Sequence, residues 1–563
     1  MRASISALLP FVSAAIGASI WRRDGPPTVS LDYATFQGFS SVQDTESFYG
    51  IPFAQPPVGK LRFALPHAPA KMSGVQNATA FKNGCPQQPV LAPNGSFPTN
   101  PGLNGILPYL AVLQPHGIVA TSEDCLYLNL VRPANTTADS KLPVVVWIYG
   151  GAFEAGDASS TNGTDIVGRS LDLGQPVIQL SFNYRMNAFG FLGGAEIKAA
   201  GLGNAGLWDQ YAVLQWVQKY ISSFGGDPNR VIIWGQSSGS ISCMLQMVHN
   251  PQTPLFHGAV MESGTASALK DISTGQDNFD FIVAQTNCTS AADKLDCLRD
   301  APYDAILNAV LATPALLDYR ALNTSWHAFV DGTFLTQSAQ QALASGAYAR
   351  VPIMTGDVDD EGTLFSLFNL NVTTDAEFST YIQEIFFPSL PASDIAQLAT
   401  LYPADPALGS PYDMGTQNAL TPEYKRISSF QGDYYFHAPR RLALDALSQT
   451  QKTWSWIWRR NKYVPGVGSF HESDLQEFYN LNNTDFAGTD ALLNFAYNLD
   501  PNVPQGGYAT GAKSVLADVQ WPTYDGAKQL LSFYDTEILN ITTDDFRVQP
   551  IQFLQGIQKK LNS

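Results

Sequence analysis

Val231-Ile232-Ile233-Trp234-Gly235-Gln236-Ser237-Ser238-Gly239 leads directly into Ser240-Ile241-Ser242-Cys243-Met244-Leu245-Gln246-Met247. The first four residues are a continuous apolar run of the length expected for a strand covered on both faces. The last eight carry a helical pattern. Between them lies a five-residue turn with glycine at both ends. So tight a turn forces its central residue into a strained backbone conformation, and the flanking glycines let neighbouring backbone approach without a Cβ clash. The Ser237 hydroxyl is then pushed out at the end of a sheet, where a base can reach it. Gly-x-Ser-x-Gly also occurs in ordinary glycine-rich turns. The strand before it and the helix after it give the pattern its meaning here.

Outward from this stretch, strand-like and helix-like segments alternate, as a mostly parallel sheet with crossover helices requires. Leu142–Tyr149 and Val177–Phe182 read as buried strands, and Gly258–Met261, Val351–Thr355 and Thr453–Trp458 as further ones. Leu207, Tyr211, Leu214, Val217 and Ile221 recur at helical spacing, and Phe224-Gly225-Gly226-Asp227-Pro228 ends that helix. Residues 271–450 carry helical patterns and Pro-rich turns, which predicts helical insertions covering the carboxyl edge of the sheet. The fold class expected is α/β, a large mostly parallel central sheet with helices on both faces.

The chain has 563 residues with 45% hydrophobic content, a net charge of −17 and 14% charged residues. No linker, low-complexity stretch or repeat divides it, so residues 24–563 are expected to form one catalytic domain. The acidity argues against nucleic acid and anionic membrane surfaces as partners. Ordinary soluble proteins carry about 25% charged residues, so the surface needs another source of wetting. Glycans on Asn77, Asn94, Asn135, Asn162, Asn323, Asn371, Asn482 and Asn540 would supply it, while Asn287 is a poorer acceptor because Cys288 follows it. Arg2 followed by the apolar run Ile5–Ala18 reads as a signal peptide over residues 1–18, with Arg22-Arg23 as a dibasic site that would end a propeptide at 23. No later apolar run is long enough for a membrane helix. The expectation is a secreted protein without a stable membrane anchor. Five cysteines suit an oxidising compartment as two pairs and one left over. Cys288 and Cys297 suit a local bridge. A Cys85–Cys125 bridge would close a loop worth roughly 4 kcal/mol in the chain-entropy model. Cys243, on the apolar helix after the turn, reads as a small buried hydrophobe.

A serine hydroxyl needs a base. Of the seven histidines, His67 and His116 precede the serine, and His249 and His257 follow too closely to leave room for a strand carrying an acid. The acid is expected in Gly356-Asp357-Val358-Asp359-Asp360-Glu361-Gly362, just after the Val351 strand. Glu361, before a glycine and an apolar helical pattern, is preferred, with Asp360 next. In the chain order serine, acid, histidine this excludes His327. His437 lies in a helix-like aromatic stretch and reads as packed in the core. His471 follows a Trp-rich strand and a glycine-rich loop, which is where a base belongs. Backbone donors for an oxyanion are expected at Ser238 and, in Tyr149-Gly150-Gly151-Ala152-Phe153-Glu154-Ala155-Gly156, at Gly151 and Ala152. No metal or cofactor is needed, and His471-Glu472-Ser473-Asp474 lacks the second histidine of a zinc motif.

With these residues placed, the chain resembles the type-B carboxylesterase/lipase family, the cholinesterase-like α/β hydrolases, and within it the fungal secreted lipases and esterases. The resemblance runs from Pro27 to the C-terminal region. It is carried by Gly50–Gly59 (GIPFAQPPVG), Ser122–Asn129 (SEDCLYLN), Gly203–Gln210 (GNAGLWDQ) and Phe224–Gly239. It implies Ser237, Glu361 and His471 as a catalytic triad and Gly151, Ala152 and Ser238 as oxyanion donors. It also implies Cys85–Cys125 and Cys288–Cys297 bridges, and Ser263 as a serine supporting the acid. The sequence departs from the family in having Gln236 where Glu is common, Ser238 where Ala is common, and Ala152 for a frequent third glycine. In fungal lipases of this family the first disulfide loop carries a lid. Here residues 86–124 contain the apolar run Gly105–Leu113, either a lid opening at a lipid–water interface or a fixed wall of the acyl pocket.

The activity expected is hydrolysis of carboxylic esters, of apolar acyl chains, through an acyl-enzyme on Ser237. Carboxylesterase, triacylglycerol lipase and sterol-ester hydrolase all remain open. The alternatives are a non-catalytic adhesion member of the fold, which would tend to lack a triad residue, and a serine amidase or peptidase.

Overall fold

A computed structural model describes residues 25–91, 97–106, 119–479 and 485–561. The signal and propeptide segment, Asn94, Asn482 and most of the Gly105–Leu113 run lie outside them. Strands β1 (Thr28–Ser30), β2 (Thr35–Gln37) and β5 (Val75–Asn77) form a small outer sheet. The other strands are β3 (Phe39–Ser40), β4 (Thr45–Pro52), β6 (Tyr127–Pro133), β7 (Leu142–Ile148), β8 (Ile178–Phe182), β9 (Gly226–Gln236), β10 (Gly258–Glu262), β11 (Ile353–Val358), β12 (Thr453–Arg459), β13 (Gln529–Tyr534) and β14 (Leu539–Thr543). They make one 11-stranded sheet in the order β14-β13-β12-β11-β10-β9-β7-β8-β6-β4-β3. From β8 across to β13 neighbouring strands run parallel; β3, β4, β6 and β14 add antiparallel edges.

The parallel strands read as unbroken apolar runs because both faces are covered. Val231, Ile232, Ile233 and Trp234 are all fully buried. Trp147 and Trp234, from adjacent strands, place their ring centroids 4.3 Å apart, and Tyr479 closes on both. Strand β9 starts at Gly226, earlier than its apolar run. Gly226 pairs with Leu142, and a register irregularity then absorbs Asp227-Pro228 before Val231 meets Val144. This is the usual way a strand accommodates a residue without an N–H. Asp271–Thr450 is helical apart from β11 and its loops.

Disulfides join Cys85 to Cys125 and Cys288 to Cys297, and Cys243 is free and buried. Among the described residues no helix is long and apolar enough to cross a membrane.

Candidate active site

The carboxyl ends of β7, β9, β10, β11 and β12, adjacent in the sheet, each deliver a piece of one site, as open α/β sheets do. Ser237 sits between β9 and the helix Ser238–Val248 with φ 54° and ψ −124°. Its N–H donates to the Glu262 carbonyl at 2.8 Å, which ties the turn to β10. Gly239 must lack a Cβ, since one would stand 2.0 Å from the Ile148 carbonyl oxygen. Strain is held here by contacts on both sides, the condition under which such a conformation persists.

Three residues past β11, Glu361 turns back on its own strand. One carboxyl oxygen accepts the Val358 N–H at 2.9 Å, and the other stands 2.6 Å from His471 Nδ1. His471 arrives on the loop after β12 and is buried, its ring against Phe436 (4.7 Å between centroids) and Phe365 (5.2 Å). Burial pushes the imidazole below its ordinary value, while Glu472, Asp474 and Asp357 pull the other way. Burial and then Asp357 push Glu361 up, and His437 works against them. A short imidazole–carboxylate contact of this kind fixes the tautomer with hydrogen on Nδ1 and leaves Nε2 to accept. The partner recorded at Nε2 is the side-chain amide nitrogen of Gln236, at 3.3 Å.

The loop after β7 lies against the nucleophile. A Cβ on Gly150 would stand 3.0 Å from Ser237 Cβ. Gly151, Ala152 and Phe153 follow in positive φ (97°, 58° and 61°). The Gly151 carbonyl accepts the amides of Glu154 and Ala155, closing the loop on itself. The Ser238 hydroxyl accepts the Phe153 N–H at 3.2 Å, so the hydroxyl at 238 pins this loop to the elbow. Ser263, also in positive φ (53°), puts its hydroxyl near enough to favour the charged form of Glu361, though not in full hydrogen-bond geometry.

Asp360 has a different task from its neighbour. Its carboxylate accepts from the Ser469 and Tyr412 amides, the Ser410 hydroxyl and Lys462 Nζ, and its backbone bridges Phe470. It therefore latches the His471 loop to the Glu361 loop. Sequence spacing gives no sign of this, since only the turn after β11 decides which acid faces the ring. His437 is buried 2.9 Å from Asp357, which also takes Arg440. Also unread in the sequence are Phe365 and Phe436, and three buried carboxyls: Glu154, Glu262 and Asp474. Glu262 accepts from the Trp234 indole. Glu154 and Asp474 have no donor in ordinary geometry for either oxygen. No group of acid, His and Cys side chains suited to a metal occurs among the described residues.

A mostly parallel sheet whose strand ends bring together a strained serine, an imidazole backed by a carboxylate and a glycine loop is the construction of an α/β hydrolase. The model of the carboxylesterase family matches residues 25–533, and the chain belongs to that family. It is 38% identical to Secreted lipase 1 of Botryotinia fuckeliana over 96% of this chain and 94% of that protein. It is 38% identical to Secreted triacylglycerol lipase LIP1 of Gibberella zeae (95% and 91%) and 39% identical to Lipase 4 of Diutina rugosa (89% and 90%). A crystal structure of Aspergillus niger EstA shares the fold with a TM-score of 0.79 at 24% identity, covering 96% of this chain and 99% of that one. The protein is a secreted carboxylic ester hydrolase.

Proposed function

We propose that Ser237 is the nucleophile, His471 the base and Glu361 the acid of an esterase acting on apolar acyl chains, long-chain acylglycerols included. The observation that supports this most is the buried 2.6 Å contact between His471 Nδ1 and Glu361, beside a serine held at φ 54°. In this reading Ser237 Oγ attacks the ester carbonyl while Nε2 takes its proton, and Glu361 stabilises the imidazolium. The amides of Gly151, Ala152 and Ser238 receive the oxyanion. The alcohol leaves with the proton from Nε2. Water then enters by the same route, its proton going to Nε2 and returning to Ser237 as the acid departs.

The apolar preference is supported by Leu316, Leu317, Ala321, Phe365 and Phe436, a buried cluster reaching from Ala152 to the His471 ring. The names of the fungal relatives point the same way. The large core shared by β4 through β13 supports reading residues 24–563 as one catalytic domain. Exposed Asn77, Asn135, Asn162, Asn371 and Asn540 suit glycan attachment. Asn323 does not, because its amide is half-buried and donates to the Ile385 carbonyl at 2.8 Å.

The test is Ser237→Ala with p-nitrophenyl esters of increasing chain length and an emulsified triacylglycerol. The variant should lose about 10³-fold or more in kcat/KM on every ester. Retained hydrolysis would refute the triad. A wild-type rate that falls steadily with chain length would refute the apolar preference.

A further inference from the structure

His471 meets a carboxylate on one side and an amide on the other. With Nδ1 donating to Glu361, the neutral ring offers a bare lone pair at Nε2. Only a donor fits there, and in the reaction the Ser237 hydroxyl must take that lone pair in place of the amide. The Gln236 amide nitrogen supplies it at 3.3 Å, while its carbonyl oxygen turns toward Gly150, where a Cβ would stand 2.7 Å away. Turning the amide over would set an oxygen lone pair against a nitrogen lone pair, so the neutral base fixes the amide as it stands. A donor to the neutral form favours that form over the charged one.

The other groups facing His471 leave this contact decisive in acid. On its own loop, Glu472 and Asp474 are both pushed up to about 7 by burial, so each holds its proton in acidic solution. From β11, Asp357 is engaged by Arg440 at 2.9 Å and by His437. From β10, Glu262 is pushed up by burial and then by Asp474, and receives the Trp234 indole. Among the described residues Glu361 is the one acid in hydrogen-bond contact with the ring; burial pushes it up as well, and it meets Nδ1, not Nε2.

We infer that Gln236 is a positioning residue that keeps His471 unprotonated in acidic medium, extending ester hydrolysis to lower pH than a carboxylate at the same place would allow. The inference rests on the proposed roles of Ser237, His471 and Glu361. A carboxylate at 236 would pair with the imidazolium and raise the pH at which the base loses its proton by about 1–3.

The experiment compares kcat/KM from pH 4 to 9 for the wild type, Gln236→Glu and Gln236→Met on a soluble short-chain ester. Phosphonylation of Ser237 by a p-nitrophenyl phosphonate is followed over the same range. The wild-type to Gln236→Glu ratio should rise about ten-fold or more between pH 8 and pH 5, in hydrolysis and in phosphonylation alike. Gln236→Met removes the donor without adding charge and should move the acid limb the same way by less. It carries the test if Gln236→Glu does not fold. A packing defect would lower the rate equally at every pH, and a flat ratio overturns the inference. Ser237→Ala separates the two failures. If it retains activity, the triad reading is wrong. If it is inactive while the ratio is flat, the triad stands and only the role of Gln236 falls.

Discussion

The buried carboxyls of the loops and strand ends around the site fall into two groups, one beside cations and one without them. On the loop side, Asp359 and Asp360 share Lys462, whose Nζ lies 2.6 and 2.7 Å from them, with Arg459 at 3.9 Å from Asp359. Lys462 and then Arg459 hold the Asp359 carboxyl well below the usual range against the effect of burial, whereas burial leaves Asp360, which shares Lys462, above it. Glu154 in the loop after β7, Glu262 at the end of β10 and Asp474 on the His471 loop have no cation beside them among the described residues, and burial pushes all three up. Asp359, with two cations beside it, is held ionic, while Asp360, equally buried and sharing only Lys462, is pushed up like the carboxyls that have no cation. Neighbouring cations, not depth, make the difference.

The strongest way to break this contrast is to remove the cation from the latch. Lys462→Met leaves Asp359 and Asp360 buried without their shared ammonium, with Arg459 and then Arg547 acting on Asp359 alone. Breaking a buried pair this way costs about 3–5 kcal/mol. Asp360 also holds the Ser469 amide, so the His471 loop should loosen as well. Urea unfolding should show the stability loss, and the same ester assay a drop in kcat. Unchanged stability would mean the latch is solvated and does not tie the loops together.

The second effect follows from the carboxyls without cations. Asp474 and Glu472 are raised to about 7 in the folded protein. Between roughly pH 4 and these values the folded state holds protons that the unfolded chain has lost. Their contribution is therefore complete below about pH 4 and is lost as pH rises through about 7. The latch runs the other way: Asp359 contributes above about pH 4 and is lost only as the pH falls below that. The thermal midpoint should accordingly be higher at pH 5 than at pH 8.5, and Asp474→Asn should flatten part of the decline. A midpoint that rises over this interval would show that these carboxyls are ionised and paired.

The contrast also marks where the sequence could be read. Strands β7, β9 and β12 are legible as apolar runs because a parallel strand covered on both faces has no polar alternation to hide it. Ser237, Glu361 and His471 each follow such a run in the chain order that the chemistry needs; in the structure Glu361 meets His471, and the side chain of Gln236, next to Ser237, reaches the ring. Which of two adjacent acids faces the ring is a matter of one turn, in which the Val358 amide captures Glu361 while the Ser469 amide captures Asp360. No spacing rule distinguishes them. Glu154 and Asp474 look in sequence like ordinary solvated acids, because burial without a partner is a property of packing across distant segments. Gln236 was legible as unusual, but its reach to Nε2 depends on a side-chain conformation that only the closed turn sets.

The smallest expected effect is also the sharpest discriminator. Glu154 lies within the loop after β7, fully buried, with no donor in ordinary geometry for either oxygen. Burial, and then Asp318, push it upward. A protonated glutamate and a glutamine have nearly the same shape and no charge. Glu154→Gln should therefore change stability at pH 5 by no more than about 0.5 kcal/mol, the range of a change that disturbs no packing. As the pH rises, the wild type must either keep its proton against an ionised Asp318 or ionise in an apolar setting, and the variant need do neither. Urea unfolding at pH 5 and pH 9 should show the difference moving in favour of the variant. If Glu154→Gln instead costs as much as Lys462→Met at both pH values, Glu154 is a paired carboxylate, and the distinction between carboxyls with and without cations is lost.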